Sequence, residues 1–422
     1  MPEATVTIDH LGGLGDGVAE TAAGRLHIPF TAPGDTARVA LRGKDSATLI
    51  ELLSAGPDRA EPPCTHFGTC GGCALQHLKP EFTAGWKRSR VVAALARAGL
   101  ERTKVAETIS IPPGTRRRAT LAASRIGKRV LLGFAERASH RLVDLKECRV
   151  LRPELAALIA PLRDRLAVLL SHEETADIAL TWTETGIDLV LIRKRPLNLT
   201  DRETLADFAE TADLARISWR AAIAKPAEPV AARRTPQIRL GATMVGFAPG
   251  TFLQPSIEGE ACLTAMVRDA LAGVQGPVAD LFSGLGTFAI PASALGPVSA
   301  FDADGPAIAT LQKAAKGRNA QAMAVTAHVR DLFREPLTLR ELDGFAAAIV
   351  DPPRAGAQAQ ARVLADSGVP LIVYVSCNPV SFARDAAILT EGGYRLDQVT
   401  PVDQFLWSPH IELAGVFRRR PQ

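Results

Sequence analysis

The chain has 422 residues with a formal net charge of +4, and 47% of its residues are hydrophobic while 22% are charged. This length exceeds what one hydrophobic core supports, so we expect two to four domains. No apolar run approaches the roughly 20 residues of a membrane-spanning helix, and no basic segment precedes an apolar one at the start. We therefore expect a cytoplasmic protein without a membrane partner, whose mild basic excess permits a nucleic-acid partner but does not demand one.

Residues 1–56 contain short apolar segments separated by glycine and proline turns, such as Ala4–Ile8, Gly24–Phe30 and Thr36–Leu41. Short strands with such turns are typical of a small β-barrel, and five-stranded barrels of the OB type commonly bind oligonucleotides. We therefore predict an OB-like barrel over residues 1–56, although any small barrel would show the same pattern.

Residues 57–240 are predicted to form a central domain of mixed helices and strands. A proline-containing linker, 57–63, comes first. The apolar spacing predicts one helix over Trp86–Ala98 and another in the leucine-rich segment Leu151–Leu170. The segment Ala224–Pro236 is rich in alanine, proline and arginine, and we predict that it is a linker.

The six cysteines have an uneven spacing that indicates a metal site. They are Cys64, Cys70 and Cys73, which lie close together, and the separate Cys148, Cys262 and Cys377. A disulfide framework is not expected in a reducing compartment, so the close group is better explained by metal binding. Cys262 stands in a helix-like segment and is most simply a core residue.

Residues 241–422 show apolar segments alternating with helical ones, which is typical of a mostly parallel sheet with helices packed on it. The predicted strands are Val278–Phe282, Val298–Asp302, Val325–Val329, Ala346–Val350, Leu371–Val375, Tyr394–Val399 and Leu413–Phe417. The chain is therefore predicted to be a multidomain α/β protein with a Rossmann-like C-terminal domain.

A glycine turn, Ser283-Gly284-Leu285-Gly286, follows the first of these strands. Glycines let a backbone approach a ligand closely, and Asp302 at the end of the next strand could accept hydrogen bonds from both ribose hydroxyls of an adenosine. The turn alone does not separate NAD from S-adenosylmethionine. Asp351-Pro352-Pro353-Arg354 lacks the amide and the aromatic residue with which methyltransferases bind a base amine, so amine methylation is disfavoured.

Cys377 directly follows an apolar strand, and Glu412 stands in the segment His410-Ile411-Glu412. A thiol at the carboxyl end of a central strand faces the ligand crevice of an open sheet. Methylation of an unactivated pyrimidine carbon needs a nucleophile at C6 and a base that removes the C5 proton. Taken separately, the two residues could be an inert core thiol and a surface carboxylate, but together they meet both needs.

These motifs together resemble the RNA uracil-5-methyltransferase family, in its branch with an OB-like N-terminal TRAM domain and an iron–sulfur cluster. The resemblance covers nearly the whole chain, and its motifs are specific in order and spacing. They are Pro33-Gly34-Asp35, Cys64-x5-Cys70-Gly71-Gly72-Cys73-x-x-Gln76-His77, Gly133-Phe134 before Cys148, Phe252-x-Gln254, the turn after Asp280, Asp351-Pro352-Pro353-Arg354, Ser376-Cys377-Asn378-Pro379 and His410-x-Glu412.

The resemblance implies that Cys377 attacks C6 of a uridine and that Glu412 removes the C5 proton. It implies an S-adenosylmethionine pocket lined by Gln254, Phe282, Thr287, Asp302, Asp331 and Asp351. It also implies a [4Fe–4S] cluster, for which four thiolates are the usual ligand count. The implied ligands are Cys64, Cys70, Cys73 and Cys148. Zinc is the competing metal, although structural zinc sites more often use paired C-x2-C knuckles.

Two positions depart from the family pattern. Thr287 stands where members often carry asparagine, and Phe405-Leu406-Trp407-Ser408-Pro409 stands where they commonly read Phe-Pro-His-Thr. The first departure could alter a cofactor contact, and the second could reflect a different RNA substrate.

The resemblance implies a structured RNA as the partner, from which the target uridine is extruded to expose C5 and C6. We prefer 23S ribosomal RNA because the bacterial transfer-RNA branch commonly lacks the barrel and the cluster, and transfer RNA is the alternative. A catalytically silent iron–sulfur protein of ribosome assembly and an NAD-dependent oxidoreductase are the rival functions. Arginine clusters at 116–118, 233–234 and 418–420 could grip RNA or form solvated faces, and we expect a monomer.

Overall fold

Three large β-sheets and one short hairpin contain the strands of a computed structural model, which describes residues 2–317 and 324–420. The sheets have six, seven and eight strands and follow one another along the chain, apart from one strand. In the described residues, no helix has both the length and the apolar character needed to cross a membrane.

The first sheet lies within the N-terminal residues and has its own small core. Its strands are β1 (Glu3–Thr7), β2 (His10–Leu11), β3 (Gly17–Thr21), β4 (Gly24–Ile28), β5 (Thr36–Arg42) and β6 (Ser46–Ser54). They pair in the order β1-β5-β6-β4-β3-β2, and alternate residues such as Ala37 and Val39 are fully buried. This barrel-like sheet has one strand more than a five-stranded barrel, and the OB topology stays a prediction.

Two elements come next in the chain, α1 (Pro80–Arg97) and β7 (Ile109–Ser110). The second sheet and its helices follow them. These elements are β8 (Arg118–Ile126), β9 (Arg129–Ala135), β10 (Leu142–Asp144), α2 (Pro153–Ala157), α3 (Ile159–Leu169), β11 (Thr175–Thr181), β12 (Asp188–Ile192), α4 (Leu199–Thr211), β13 (Arg216–Arg220) and β14 (Glu228–Ala232). The strand order is β10-β9-β8-β11-β12-β13-β14, and the helices share a core with one face of the sheet.

Two sequence expectations are corrected in this region. The segment Ala224–Pro236 is not a plain linker, because β14 lies within it and pairs antiparallel with β13. An edge strand tolerates a proline such as Pro229, so its sequence lacks the usual strand signals. The leucine-rich helix is divided into α2 and α3, with Leu158 between them.

The third sheet carries the alternating pattern predicted for the C-terminal region, preceded by the hairpin β15–β16. The elements are β15 (Gln237–Leu240), β16 (Thr243–Gly246), α5 (Ile257–Leu271), β17 (Val278–Leu281), α6 (Ala289–Ala292), β18 (Val298–Asp302), α7 (Gly305–Lys316), β19 (Val325–Val329), α8 (Leu339–Leu342), β20 (Ala347–Val350), α9 (Gln358–Asp366), β21 (Leu371–Ser376), α10 (Pro379–Glu391), β22 (Tyr394–Asp403) and β23 (Glu412–Arg419). All seven predicted strands are present.

The order of the third sheet is β19-β18-β17-β20-β21-β23-β22-β7. The strands from β19 to β21 are parallel, whereas β23 is antiparallel to both of its neighbours. The carboxyl ends of the parallel strands therefore share one edge with the amino end of β23. In an open α/β sheet, this edge is where ligands bind.

Helix α1 and strand β7 pack on the third sheet although they precede the second sheet in sequence. β7 pairs in parallel with β22, and Val91 and Leu95 of α1 are buried in a core shared with α9 and α10. The buried Lys87 ammonium donates a 2.5 Å hydrogen bond to the Asp403 carboxylate. Part of the range predicted as a central domain thus supports the C-terminal sheet. The domain boundaries 1–56, 57–240 and 241–422 stay predictions.

Candidate active site

Cys377 is the first residue after β21 and lies at the ligand-binding edge of the third sheet. The side chain of Asn378 accepts a hydrogen bond from the Val380 amide (3.1 Å) and caps α10, which begins at Pro379. Burial raises the pKa of the Cys377 thiol to about 11, and the charges of Glu412 and Asp351 add to the rise. The resting side chain is therefore a neutral thiol that must lose its proton when it attacks.

Glu412 is the first residue of β23, and the register of two strands brings it next to Cys377. β21 and β23 are antiparallel with Ser376 opposite Leu413, so the end of one strand meets the start of the other. Glu412 is 4% exposed. Burial and the charge of Asp351 raise its pKa to about 8. A buried carboxylate with such a pKa suits a general base at neutral pH.

Asp351 follows β20, and two glutamines connect it to Glu412. The Gln254 amide donates a long hydrogen bond of 3.5 Å to Asp351 Oδ2. Gln404 Nε2 donates to Gln254 Oε1 (2.9 Å) and to Glu412 Oε2 (3.1 Å). Burial and the charge of Asp302 raise the pKa of Asp351 to about 7. The sequence motifs contain no signal for Gln404, which was not predicted as a site residue.

The glycine turn and Asp302 form a cradle at the ends of β17 and β18. The Asp302 carboxylate accepts hydrogen bonds from the amides of Gly284 and Asp304, each 2.8 Å long. Gly286 has a φ of +92°, and a Cβ there would lie 2.6 Å from Leu311, so only glycine fits. Asp280 in β17 is fully buried, and burial with the charge of Asp351 raises its pKa well above the usual range.

The other predicted cofactor residues lie around this cradle. Phe282 has a φ of +64°, which is unusual for a residue with a side chain, and its ring lies 5.4 Å from that of Phe333. The Asp331 carboxylate accepts a 3.0 Å hydrogen bond from the Phe333 amide and so turns the chain after β19. Thr287 follows the glycine turn and is half-buried. Phe333 therefore connects Phe282 and Asp331, through its ring and its amide. Among the described residues, Thr287 has no comparable contact with the other predicted cofactor residues.

The segment 405–409, which departs from the family pattern and precedes Glu412, is bound by groups from distant parts of the chain. Lys87 contacts the Phe405 carbonyl at 3.2 Å, and Arg90 donates to the Pro409 carbonyl. Trp407 has a φ of +60°, and its carbonyl accepts the amides of Ala74 (2.8 Å) and Leu75 (3.1 Å). The cysteine-rich segment is thus hydrogen-bonded directly to the loop that leads into Glu412.

The four cysteines predicted as cluster ligands line one cavity of about 720 Å³, together with Arg116 and His410. They are Cys64, Cys70, Cys73 and Cys148. Burial raises the pKa of the thiols of Cys70, Cys73 and Cys148, to about 12 for Cys73. Among the residues that the structure describes, no group of three or more cysteine, histidine or carboxylate side chains is arranged to hold a metal ion.

The arginine cluster 116–118 is not a simple solvated face. Arg117 is 1% exposed, forms a 2.5 Å ion pair with Glu260, and donates to the Gln254 carbonyl at 2.9 Å. Arg118 lies over the Phe252 ring at 5.0 Å. In the second cluster, Arg233 and Arg234 both pair with Asp213. The first cluster therefore supports the loop that carries Gln254.

Comparison with known proteins places this chain in a family. Residues 243–420 match the family model described as tRNA (Uracil-5-)-methyltransferase. An uncharacterized RNA methyltransferase of Brucella suis biovar 1 is 43% identical over 418 residues, which cover 99% of this chain and 98% of the relative. The chain belongs to the RNA uracil-5-methyltransferase family. The prediction that it is an RNA methyltransferase is therefore confirmed, and this membership supports binding of S-adenosylmethionine.

Two further family members have more specific names. A Pectobacterium atrosepticum protein named 23S rRNA (uracil(1939)-C(5))-methyltransferase is 32% identical, with 98% of this chain and 93% of the relative covered. The solved tRNA (uracil-54, C5)-methyltransferase of Pyrococcus abyssi, in complex with S-adenosyl-L-homocysteine, has a TM-score of 0.77 and 25% identity, covering 98% of this chain and 99% of the other. The mixed α/β fold of the family member is thus shared along nearly the whole chain.

Proposed function

We propose that this family member methylates C5 of one uridine in structured RNA through a covalent adduct between Cys377 and C6. The observation that carries the proposal is the meeting of β21 and β23, which puts a thiol and a buried carboxylate at one ligand-binding edge. S-adenosylmethionine, when bound, would supply the methyl group and leave as S-adenosylhomocysteine. The cradle of Gly284, Gly286 and Asp302 fits its adenosine, since it combines close backbone approach with a carboxylate for the ribose.

The residues act in two stages. The Cys377 sulfur bonds to C6 as the thiol loses its proton, and the electrons of the C5–C6 double bond make C5 nucleophilic. We assign the thiol proton to Asp351, because Glu412 must stay free for the later step. After methylation, Glu412 takes the C5 proton, the C5–C6 double bond re-forms, and the bond between sulfur and C6 breaks. The uridine must leave its stack for this chemistry.

We propose 23S ribosomal RNA as the substrate. The relative named for this RNA is 32% identical over nearly the whole chain, whereas the solved transfer-RNA enzyme is 25% identical. The test is to map 5-methyluridine in ribosomal and transfer RNA from a strain that lacks this gene. Loss of 5-methyluridine from 23S RNA alone supports the proposal. Its loss from transfer RNA alone would identify transfer RNA as the substrate. If neither RNA changes, the silent assembly protein is favoured.

We also propose that Cys64, Cys70, Cys73 and Cys148 hold a [4Fe–4S] cluster. The four thiols face one cavity, and the Gly72 amide lies 3.4 Å from Cys70 Sγ as a hydrogen-bond donor to sulfur. Each ligand of such a cluster binds a different iron, so its ligands stand farther apart than those around one ion. The five-residue gap between Cys64 and Cys70 and the distant Cys148 differ from the paired C-x2-C knuckles typical of structural zinc, which favours a cluster over zinc. Iron and sulfide analysis of protein purified without oxygen tests this assignment.

A further inference from the structure

Gln404 is a buried amide that directly contacts the proposed base. It follows the end of β22 and is 6% exposed. A side-chain amide nitrogen carries two hydrogens, and Gln404 Nε2 has two acceptors, Gln254 Oε1 at 2.9 Å and Glu412 Oε2 at 3.1 Å. Both hydrogens are therefore used, and the orientation of the amide is fixed.

The Gln404 amide is one part of a directed chain between two carboxylates. Gln404 donates to Glu412 and to Gln254, and Gln254 donates at 3.5 Å to Asp351. In this chain each carboxylate accepts a hydrogen bond through one of its oxygens, Oδ2 of Asp351 and Oε2 of Glu412. The other Glu412 oxygen, Oε1, has no hydrogen-bond partner in the described residues, so it is free to receive a proton.

The charges around Glu412 make this contact important. The titratable groups that face it are Asp351, at the end of β20, and the Cys377 thiol, after β21. Arg354 adds a positive charge near Cys377. Burial and Asp351 both raise the pKa of Glu412, whereas the Gln404 hydrogen bond lowers it. Gln404 thus opposes the two influences that would keep the base protonated and inactive.

Helix α5 is shaped to receive the Gln404 side chain. A Cβ at Gly259 would lie 2.4 Å from Gln404 Oε1 and 2.8 Å from its Cβ. Gln404 Oε1 faces this side and has no hydrogen-bond partner among the described residues. The absence of a side chain at Gly259 therefore lets the amide sit with its nitrogen toward Glu412.

We propose that Gln404 is a positioning residue for the second stage of the reaction, because its amide favours the ionised form of Glu412 and leaves Oε1 to take the C5 proton. In that step the C5–H electrons form the C5–C6 double bond, the proton goes to Glu412, and the bond between Cys377 sulfur and C6 breaks. This role rests on the proposed function.

The test uses the full-length protein, a target RNA and S-adenosylmethionine, with release from the covalent adduct followed against pH. Gln404→Met keeps a similar volume without the donor, and Gly259→Ala displaces the amide without touching Glu412. In both variants we expect the rising limb of release to move to higher pH by on the order of one unit, so release slows about tenfold at pH 7. The adduct should accumulate, while the KM for RNA stays unchanged.

The matched control is Gly85→Ala in α1, where an added Cβ meets nothing within 4 Å. It should keep the wild-type pH profile. A wild-type profile in Gln404→Met, or an equal loss of rate at every pH, would overturn the role of Gln404. The Glu412→Gln variant separates the two proposals. If it traps an adduct while Gln404→Met does not, only this inference fails. If it forms no adduct, the proposed function fails and this inference fails with it.

Discussion

The two cysteine settings of this protein differ in what surrounds the sulfur. Cys377 stands alone at the end of a strand beside two carboxylates, whose charges add to burial in disfavouring its thiolate. The four cysteines of the cavity stand beside one another and Arg116, in segments without strands or helices around Cys64–Cys73 and Cys148. In the proposed function the isolated thiol bonds to the substrate and the grouped thiols hold a cluster, so the difference in setting corresponds to a difference in role. Four experiments test this division of roles.

The largest effect is expected from Cys377→Ser. Because a hydroxyl is a far weaker nucleophile than a thiol, turnover should fall by more than about 10⁴-fold. Its iron content should equal that of the wild type. Methyl transfer from labelled S-adenosylmethionine and iron analysis of the same preparation check both statements. Substantial turnover by this variant would show that Cys377 is not the nucleophile.

Glu412→Gln should slow turnover by roughly 10²–10⁴-fold, the usual contribution of a general base. Attack and methylation do not need this carboxylate, so the protein should remain bonded to methylated RNA. A denaturing gel detects that adduct, and mass spectrometry locates the methyl group. If the protein lost activity without any adduct, Glu412 would act before methylation and the proposed function would fail.

The pH dependence should follow the raised pKa of Glu412, which lies at about 8. The base works when ionised, so release from the adduct should quicken as pH rises, by roughly tenfold between pH 7 and pH 9. Single-turnover rates in a series of buffers measure this. The dependence should vanish in Glu412→Gln, and a rate that fell with rising pH would contradict the assignment.

The smallest effect on turnover is expected from the cysteine cavity. Cys148→Ser should lose most of its iron, yet turnover per folded molecule should fall by only about tenfold or less, since methyl transfer moves no electrons. Cys262→Ser, a half-buried cysteine in α5, is the matched control and should keep its iron. Full iron content in Cys148→Ser would show that the cavity does not use this ligand.

The sequence was most informative about the third sheet. Its central parallel strands β17, β20 and β21 are buried on both faces, so they form continuous apolar runs separated by helices. The strand β14 was missed because an edge strand with Pro229 carries no such run. The place of α1 on this sheet depends on side chains that come much later in the chain, and local periodicity does not report such partners.

In the candidate site, the residues with a proposed chemical role were easier to predict than the residues that hold them in place. Cys377 and Glu412 were identifiable because their residue types, taken together, meet the needs of one reaction. Their neighbour Gln404 was missed because a lone polar residue after a strand has no pattern, and its meaning depends on the antiparallel placement of β22 and β23. The sequence did not decide whether the arginine cluster that contains Arg117 binds RNA or faces solvent. The ion pair of Arg117 with Glu260 joins residues that are distant in sequence, so local patterns do not predict it.

The packing of α1 on the third sheet has a consequence for biosynthesis. The partner helix α10 begins about 280 residues after α1 ends. At ordinary rates of translation, the apolar face of α1 leaves the ribosome roughly 15–55 s before α10 is made. During that interval the face needs a temporary cover, from a chaperone or from other parts of the nascent chain. The segment that contains Cys64, Cys70 and Cys73 precedes α1, so these three cysteines are already synthesised throughout this interval.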